Sequence, residues 1–388
     1  GMPGRTGCRC ERGKFRGGLV VENREGCLRV GDAFCEFAQR QCLHVFRQRA
    51  LRHGQPGRPA SELTEDHPAL VRFHVVVEHR ASTVGVRIHD SFGWTFGENG
   101  SHDAMVTSGT AGALTLACLS VLDQGDELII PDPYFVIYPT LARIAGATAV
   151  LCDTYPDFKM TADRIEPLIT SKTKAVLLNS PATPTGVVVT QEEVDGVASL
   201  CRDRGILLIT DEIYDEFVFP PAKHASPASS SEEVLVIRGY GKTYGCTGWR
   251  MGYAAGPARL IDEMAKLQQQ TFVCAPSVLQ HAVVGAYDID LEPLIQRFAA
   301  RRDMVIDILG EVMEIVIPEG AFYAFPKVPE SLGWTGSQFF EEAIKHDVLL
   351  IHGGVFSKRD THIRISFATA KDRLERGLLA IRGIVQTG

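Results

Sequence analysis

Short apolar runs alternate with amphipathic stretches through the middle of the chain. Between residues 103 and 290 this alternation predicts βαβ units, and hence an α/β fold with a mainly parallel sheet flanked by helices. The predicted strands are Glu127–Ile130, Thr148–Leu151, Ala175–Leu178, Ile206–Thr210, Val234–Ile237 and Met251–Ala254, and the predicted helices are Ala111–Leu122, Glu192–Arg204 and Ala258–Gln270.

A different pattern follows Asp290. It predicts a long helix, a β-like segment at Glu314–Phe325, a helix near Gln338–His346 and a strand at His362–Phe367, an order typical of an α+β unit. We therefore predict a large domain over residues 70–290 and a smaller domain from residues 1–69 and 291–388. The first hundred residues show only weak periodicity.

Composition narrows the class of protein. The 388 residues are 45% apolar and 22% charged, as in ordinary globular proteins, and no apolar run approaches the roughly 18 residues of a membrane span. We therefore expect a cytoplasmic protein that does not bind membranes. We also expect no binding to nucleic acid, because acidic residues interrupt the basic first fifty residues. The ten cysteines show no zinc-site spacing, so no metal is predicted.

Lys242 is the leading candidate for chemistry. It follows the strand Val234–Ile237 through a glycine-rich turn, which places its amine at the carboxyl edge of the sheet, where open α/β sheets bind ligands. A phosphate-binding loop of the NTPase type also ends in Gly-Lys-Thr. That motif requires glycine where this chain has Val236, so the NTPase hypothesis is excluded. Lys242 suits a lysine that forms a Schiff base.

Further candidates lie at the ends of other predicted strands. Asp211 ends an apolar strand and its carboxylate could keep a pyridine nitrogen protonated, while Tyr214 could donate to a ring oxygen. Taken alone, an aspartate in this place is more often a helix cap. Phe135 could stack on a cofactor ring, although an aromatic residue there is more often part of the core.

Two groups could bind anions. Gly109, Thr110 and Ala111 open a predicted helix, whose backbone amides suit a phosphate, and Arg250 adds a cation eight residues after Lys242. In the second domain, Arg364 alternates with apolar residues in a strand and could bind a substrate carboxylate; otherwise it is an ordinary surface arginine.

Taken together, five motifs in order resemble the fold-type I pyridoxal-phosphate aminotransferases of class I and II, over roughly residues 103–388. They are SPATPTG from Ser180, TDEIYDEF from Thr210, GYGKTYGCTGWRMGY from Gly239, PEGAFYAFP from Pro318 and HIRISFAT from His362. The resemblance implies a homodimer that binds pyridoxal 5'-phosphate through a Schiff base on Lys242 and transfers amino groups between α-amino acids and 2-oxo acids.

The resemblance also assigns roles. It implies Asp211 at the pyridine nitrogen, Tyr214 at the ring oxygen and Phe135 on the ring face. It places Arg250 with the turn from Gly109 to Ala111 on the phosphate, and Arg364 on the substrate carboxylate.

The chain departs from the family at three places. Thr183 stands where an asparagine usually donates to the ring oxygen, and Gly239 replaces a serine that commonly touches the phosphate. The N-terminal third lacks the glycine-rich substrate segment and has no tyrosine before Tyr134, which fits a divergent segment or one translated in a shifted reading frame.

Two other functions stay open on the sequence alone. A carbon–sulfur β-lyase would use the same lysine and the same cofactor, and a regulatory protein could retain the cofactor with little turnover.

Overall fold

The computed structural model describes Trp94 and residues 100–388. Within this part, seven strands form one sheet: β1 (His102–Ser108), β2 (Glu127–Asp132), β3 (Thr148–Asp153), β4 (Thr173–Asn179), β5 (Leu207–Asp211), β6 (Val234–Gly239) and β7 (Met251–Pro257). Their order across the sheet is β1-β7-β6-β5-β4-β2-β3. All six predicted strands are therefore present, and β1 is an additional strand that the pattern did not predict.

The direction of the strands decides which ends meet. Strands β2 to β6 are mutually parallel, whereas β7 is antiparallel to both β6 and β1. Consequently β1 points the same way as β6, and Ser108 at its end pairs with Met251 at the start of β7. One edge of the sheet thus carries the ends of β1, β4, β5 and β6 together with the start of β7.

Helices cover both faces of this sheet. They are α1 (Gly109–Val121), α2 (Tyr138–Ile144), α3 (Ala162–Ile165), α4 (Gln191–Asp203), α5 (Ala258–Thr271) and α6 (Ser277–Ala282). Buried side chains of α1, α2 and α5 form one apolar cluster with the sheet, and those of α4 belong to the cluster on the other side. Helix α4 begins at a capping box in which Thr190 and Glu193 exchange hydrogen bonds, as its sequence favours. This is the predicted α/β architecture.

The rest of the chain forms an α+β unit. Its elements are α7 (Glu292–Leu309), β8 (Tyr323–Ala324), α8 (Gly336–Lys345), β9 (Ile351–His352), β10 (Ile363–Ser366) and α9 (Lys371–Thr387). The strands pair antiparallel in the order β8-β10-β9, over a third apolar cluster that also includes Tyr214, Phe217 and Phe219. The predicted domain boundary at residues 290 and 291 stays a prediction, and its segment 1–69 lies outside the described residues.

The β-like segment predicted at Glu314–Phe325 is largely wrong, because only Tyr323 and Ala324 form a strand. Ala321 is in the left-handed region with φ of 55°, and Pro318 has no amide hydrogen to donate. The amides of Glu319 and Gly320 donate instead to the carbonyl of Gly186, at 2.9 Å each. The part of this segment before β8 is therefore bound to a loop of the larger unit rather than to a neighbouring strand.

Among the described residues, no helix is both long enough and apolar enough to cross a bilayer.

Candidate active site

Asp211 is deeply buried, with 2% of its surface exposed at the end of β5. Its Oδ2 accepts a hydrogen bond of 2.8 Å from the hydroxyl of Tyr138 in α2, and its Oδ1 accepts one of 3.2 Å from the amide of Ile213. Burial raises the pKa of the Asp211 carboxyl to about 6, against the opposing effect of these bonds and of Lys242. The site therefore contains a carboxylate whose charge is incompletely compensated.

Lys242 lies in the turn after β6, beside two aromatic rings. Its Nζ is 5.9 Å from the ring centroid of Tyr214 and 5.8 Å from that of Phe322. Among the described residues no hydrogen bond or ion pair engages this amine, although it interacts electrostatically with Asp211. The amine is thus available to a ligand, which is unusual for a half-buried lysine next to a buried carboxylate.

Tyr214 follows β5 and is 2% exposed. Its hydroxyl donates to the hydroxyl of Tyr323 at 3.3 Å, and the side chain of Thr183 hydrogen-bonds it as well. The amide of Thr183 in turn donates to Oδ1 of Asn179 at 2.8 Å, and Asn179 pairs with Asp211 across β4 and β5. Burial raises the pKa of Tyr214, so this phenol keeps its proton at neutral pH.

The start of α1 and Arg250 form a cradle that suits an anion. Gly109 has φ of +69°, and a Cβ on it would come within 2.7 Å of Nη2 of Arg250. The helix has no acidic residue in its first turn and no side-chain cap from Ser108. The amide groups of Gly109, Thr110 and Ala111 therefore face the same region as a guanidinium, which is the arrangement that binds phosphate.

Gly239 fits tightly beside this cradle. A Cβ at this position would approach Cγ2 of Thr110 and Cδ1 of Ile213 to 2.9 Å each. Gly252 is equally confined, since its Cβ would lie 2.8 Å from the amide nitrogen of Thr110. The two glycines bring β6 and β7 close to the start of α1, and the side chains of Thr110 and Ile213 fill the space that a serine would need at position 239.

Phe135 contacts the side chain that binds Asp211. Its ring packs edge-on against the ring of Tyr138, with centroids 5.6 Å apart and an interplanar angle of 81°. It is half-buried on the apolar cluster that covers this face of the sheet.

Arg364 lies in β10 of the second unit, between two aromatic rings. Its Cζ is 4.5 Å from the ring centroid of Tyr323 and 4.6 Å from that of Phe356. Burial lowers its pKa, and no hydrogen bond or ion pair to another described residue engages its guanidinium. A cation that is held by rings and keeps its donors unused suits a carboxylate ligand.

These side chains form one connected group. Contacts run from Phe135 through Tyr138 to Asp211, and from Thr183 through Tyr214 and Tyr323 to Arg364. Gly239 joins the cradle to the turn that carries Lys242.

Comparison with known proteins agrees with this geometry. The model of the family "Aminotransferase class I and II" matches residues 97–381. The chain belongs to this family. The aspartate aminotransferase of Geobacillus stearothermophilus is 35% identical over 300 residues, covering 73% of this chain and 76% of that one. The probable aspartate aminotransferase of Methanocaldococcus jannaschii is 33% identical over 292 residues, covering 73% and 77% of the two chains.

A solved structure is similar over most of the chain. The aromatic aminotransferase of Pyrococcus horikoshii OT3 superposes with a TM-score of 0.74 at 29% identity, covering 78% of this chain and 84% of that one. The fold and family predicted from the motifs are confirmed, and this protein is a pyridoxal-phosphate-dependent aminotransferase that acts on an amino acid and a 2-oxo acid. The β-lyase and regulatory alternatives are not favoured.

The residues present fit pyridoxal phosphate. The cofactor carries an aldehyde, a phosphate and a pyridine nitrogen, and the described residues offer an uncommitted amine, an anion cradle that a Cβ on Gly109 would fill, and a buried carboxylate. The first turn of α1 contains no acidic residue that would repel a phosphate in the cradle.

Sequence reasoning missed Tyr138, Asn179 and Tyr323. Tyr323 lies inside the motif PEGAFYAFP and Asn179 immediately precedes SPATPTG, so both were near a recognised signal. Tyr138 had none: it begins a helix that the pattern did not predict, and it reaches Asp211 across 73 residues of chain.

Proposed function

We propose that the ε-amine of Lys242 would hold pyridoxal phosphate through a covalent bond and would carry a proton to and from the α-carbon of the bound substrate. The observation that carries this proposal is the uncommitted Nζ of Lys242, flanked by Tyr214 and Phe322 and electrostatically coupled to the buried Asp211. A lysine that shuttles protons needs an amine that is close to the reacting carbon and free of competing partners.

Asp211 would bind the pyridine nitrogen, oriented by the hydroxyl of Tyr138. When bound, the cofactor supplies an electron sink for the charge that develops at the substrate α-carbon. An ionised carboxylate against the nitrogen strengthens that sink, because its negative charge keeps the nitrogen protonated. Tyr214 and Thr183 would donate to the ring oxygen and Phe135 would cover a ring face; the contact of Phe135 with Tyr138 supports a place beside Asp211.

The phosphate would bind the amides of Gly109, Thr110 and Ala111 and the guanidinium of Arg250. The helix dipole and the arginine both favour an anion there. Arg364 would pair with the α-carboxylate of the substrate, since its donors are unused by the described residues. The two arginines would thus bind the phosphate of the cofactor and the carboxylate of the substrate, which would orient the substrate α-carbon towards Lys242.

Chemical trapping tests the role of Lys242. Reduction of the loaded enzyme with borohydride, followed by peptide mass mapping, is expected to find the cofactor on the peptide that contains Lys242. Attachment to any other lysine would refute the proposal. Lys242→Ala should lower kcat by roughly 100- to 10,000-fold, measured with L-aspartate and L-tyrosine as amino donors to 2-oxoglutarate, while Lys266→Ala, an exposed lysine in α5, should leave it unchanged.

We also propose that the protein works as a cytoplasmic homodimer. The five cysteines among the described residues are all unpaired, which suits a reducing compartment. Phe272, Val273 and Val278 are exposed apolar side chains, and Phe272 lies 3.6 Å from the Cβ position of Gly112 in α1. A partner subunit on this surface would border the cradle; a monomeric mass in analytical ultracentrifugation would contradict the dimer.

A further inference from the structure

Tyr323 touches two groups that have separate proposed roles. It lies in β8 opposite Ser366 of β10, and Arg364 is two residues before Ser366, so Arg364 and Ser366 project from the same face of the sheet. This diagonal relation brings the Tyr323 ring to 4.5 Å from Cζ of Arg364. At the other end of the same side chain, the hydroxyl accepts from Tyr214 at 3.3 Å.

Each contact has a physical effect of its own. The rings of Tyr323 and Phe356 hold the Arg364 guanidinium without consuming its hydrogen-bond donors. The hydroxyl contact is longer than the 2.7–2.8 Å that is usual between hydroxyl groups, so it orients Tyr214 without tying up its proton strongly. Thr183 hydrogen-bonds Tyr214 as well. Tyr214 thus interacts with two other side chains that carry hydroxyl groups, those of Thr183 and Tyr323.

The backbone around Tyr323 is fixed by the larger unit. A Cβ on Gly186 would come within 2.7 Å of the carbonyl oxygen of Tyr323 and within 2.6 Å of Cβ of Pro318. The amide of Ala321 donates to the carbonyl of Phe217 at 2.8 Å. Two motifs that are far apart in sequence, SPATPTG and PEGAFYAFP, are therefore one packing unit, which gives Tyr323 little freedom to move away from Tyr214.

We propose that Tyr323 is a positioning residue that couples the two halves of the site: its hydroxyl orients the Tyr214 hydroxyl, and its ring orients the Arg364 guanidinium. This inference rests on the roles of Tyr214 and Arg364 proposed above. Because one rigid side chain makes both contacts, the substrate carboxylate site and the hydroxyl at the ring oxygen keep a constant relative position.

Two substitutions separate the functions. Tyr323→Phe keeps the ring over Arg364 and removes the hydroxyl at Tyr214, whereas Tyr323→Leu removes both. Tyr214→Phe and Arg364→Lys serve as references for the two roles. The measurements on the cofactor-loaded proteins are the pH midpoint of the cofactor absorbance, which reports on the ring oxygen, and KM for the amino acid, which reports on the carboxylate site.

Tyr323→Phe is expected to move the absorbance midpoint in the same direction as Tyr214→Phe, by a smaller amount, with KM changed less than about 2-fold. Tyr323→Leu should show that shift and also raise KM by about 5-fold, within the 2- to 30-fold range of a ring–guanidinium contact. Circular dichroism of each variant establishes that it is folded.

The outcomes distinguish the inference from the function on which it rests. If the two reference variants act as expected but Tyr323→Phe leaves the midpoint unchanged, or Tyr323→Leu leaves KM unchanged, the coupling role is overturned while the proposed function stands. If Tyr214→Phe leaves the midpoint unchanged and Arg364→Lys leaves KM unchanged, the assigned roles fail and the inference fails with them.

Discussion

At the scale of single residues, Asp211 shows how burial and one hydrogen bond oppose each other. Burial disfavours the ionised carboxylate and raises its pKa to about 6, while the Tyr138 hydroxyl favours the ionised form. Burial and the neighbouring Asp211 also raise the pKa of Tyr138, so the tyrosine remains the donor. Because the pKa of Asp211 is raised on folding, its protonated form stabilises the fold, and this contribution is lost as the pH rises from about 4 towards 6 and above.

Tyr138→Phe is expected to destabilise the cofactor-free protein more at pH 8 than at pH 5. The lost bond to an ionised carboxylate costs about 1.5–3 kcal/mol, and most Asp211 is protonated at pH 5. Urea unfolding of both proteins at the two pH values measures the difference. In an Asp211→Asn background the pH dependence of the Tyr138→Phe effect should vanish; an equal cost at both pH values in the wild-type background would contradict this explanation.

A glycine at position 109 allows both the positive φ of the backbone and the close approach of the Arg250 guanidinium. Gly109→Ala would place a methyl group within 2.7 Å of Arg250 and displace its guanidinium from the start of α1. We expect cofactor affinity to fall by about 10-fold or more, which corresponds to about 1.4 kcal/mol, as measured by absorbance titration.

Gly205→Ala is the matched control for that substitution. Gly205 has φ of +63° with no heavy atom within 4 Å of its Cβ position, and it precedes β5 at the opposite edge of the sheet. It carries a similar backbone strain of roughly 1–2 kcal/mol without the arginine contact. An equal loss of affinity in both variants would show that strain alone is responsible.

At the level of secondary-structure elements, β6 and β7 pack closely against the start of α1, and this packing leaves no room for a side chain at Gly239. Helix α1 follows β1 directly, and its first turn lies against both neighbouring strands because Gly239 and Gly252 have no side chains. The absence of a serine at position 239 is therefore compensated sterically by Thr110 and Ile213.

A serine at position 239, as is common in the family, is expected to destabilise this protein. Gly239→Ser should lower the free energy of unfolding by about 1–3 kcal/mol through overcrowding and should not strengthen cofactor binding. Adding Ile213→Val, which removes the Cδ1 atom, should recover part of the stability. Gly241→Ser, where the nearest atom lies at 3.4 Å, is the control; tighter cofactor binding by Gly239→Ser would contradict the prediction.

At the scale of the whole molecule, a buried ionic network supports the loop that carries Tyr214. Glu212 is fully buried, and its Oε2 accepts from Nη2 of Arg238 at 2.7 Å and lies 2.9 Å from Nε2 of His224. Burial alone would raise the pKa of Glu212, but Arg238 above all, together with His224 and Ser226, lowers it to about 2. The network connects β5, β6 and the segment that leads away from Phe219.

Because folding lowers the pKa of Glu212, its contribution to stability is present above about pH 4.5 and is lost as the pH falls towards 2. This lowering of the Glu212 pKa corresponds to a contribution of about 3 kcal/mol to the free energy of unfolding. Glu212→Gln should cost about 3 kcal/mol at pH 7, because the buried Arg238 loses its ion pair with Glu212 and retains the one with Asp215. The variant should also show a weaker dependence of the free energy of unfolding on pH between about pH 4.5 and pH 2, as measured by urea unfolding. If the variant retains the wild-type dependence, carboxylates other than Glu212 are responsible for it.

Much of this arrangement was predictable from local pattern. The six strands and three helices predicted in the larger unit are present because apolar periodicity and strand-end residues such as Asp211 are properties of short segments. Strand β1 and the short β8 were not predicted correctly. Their extent depends on partners that are remote in sequence, namely β7 for β1 and Gly186 and Phe217 for the segment before β8.

Local motifs are enough to identify the family and the cofactor, because the chemistry and order of the residues are encoded in contiguous stretches of chain. The same motifs name Lys242, Asp211, Tyr214, Arg250 and Arg364 as candidates. Other contacts depend on the folded chain: Tyr138 reaches Asp211, Thr110 and Ile213 occupy the space beside Gly239, and Tyr323 contacts both Tyr214 and Arg364. Those contacts join residues up to 129 positions apart, as from Thr110 to Gly239, and chain folding alone brings such residues together.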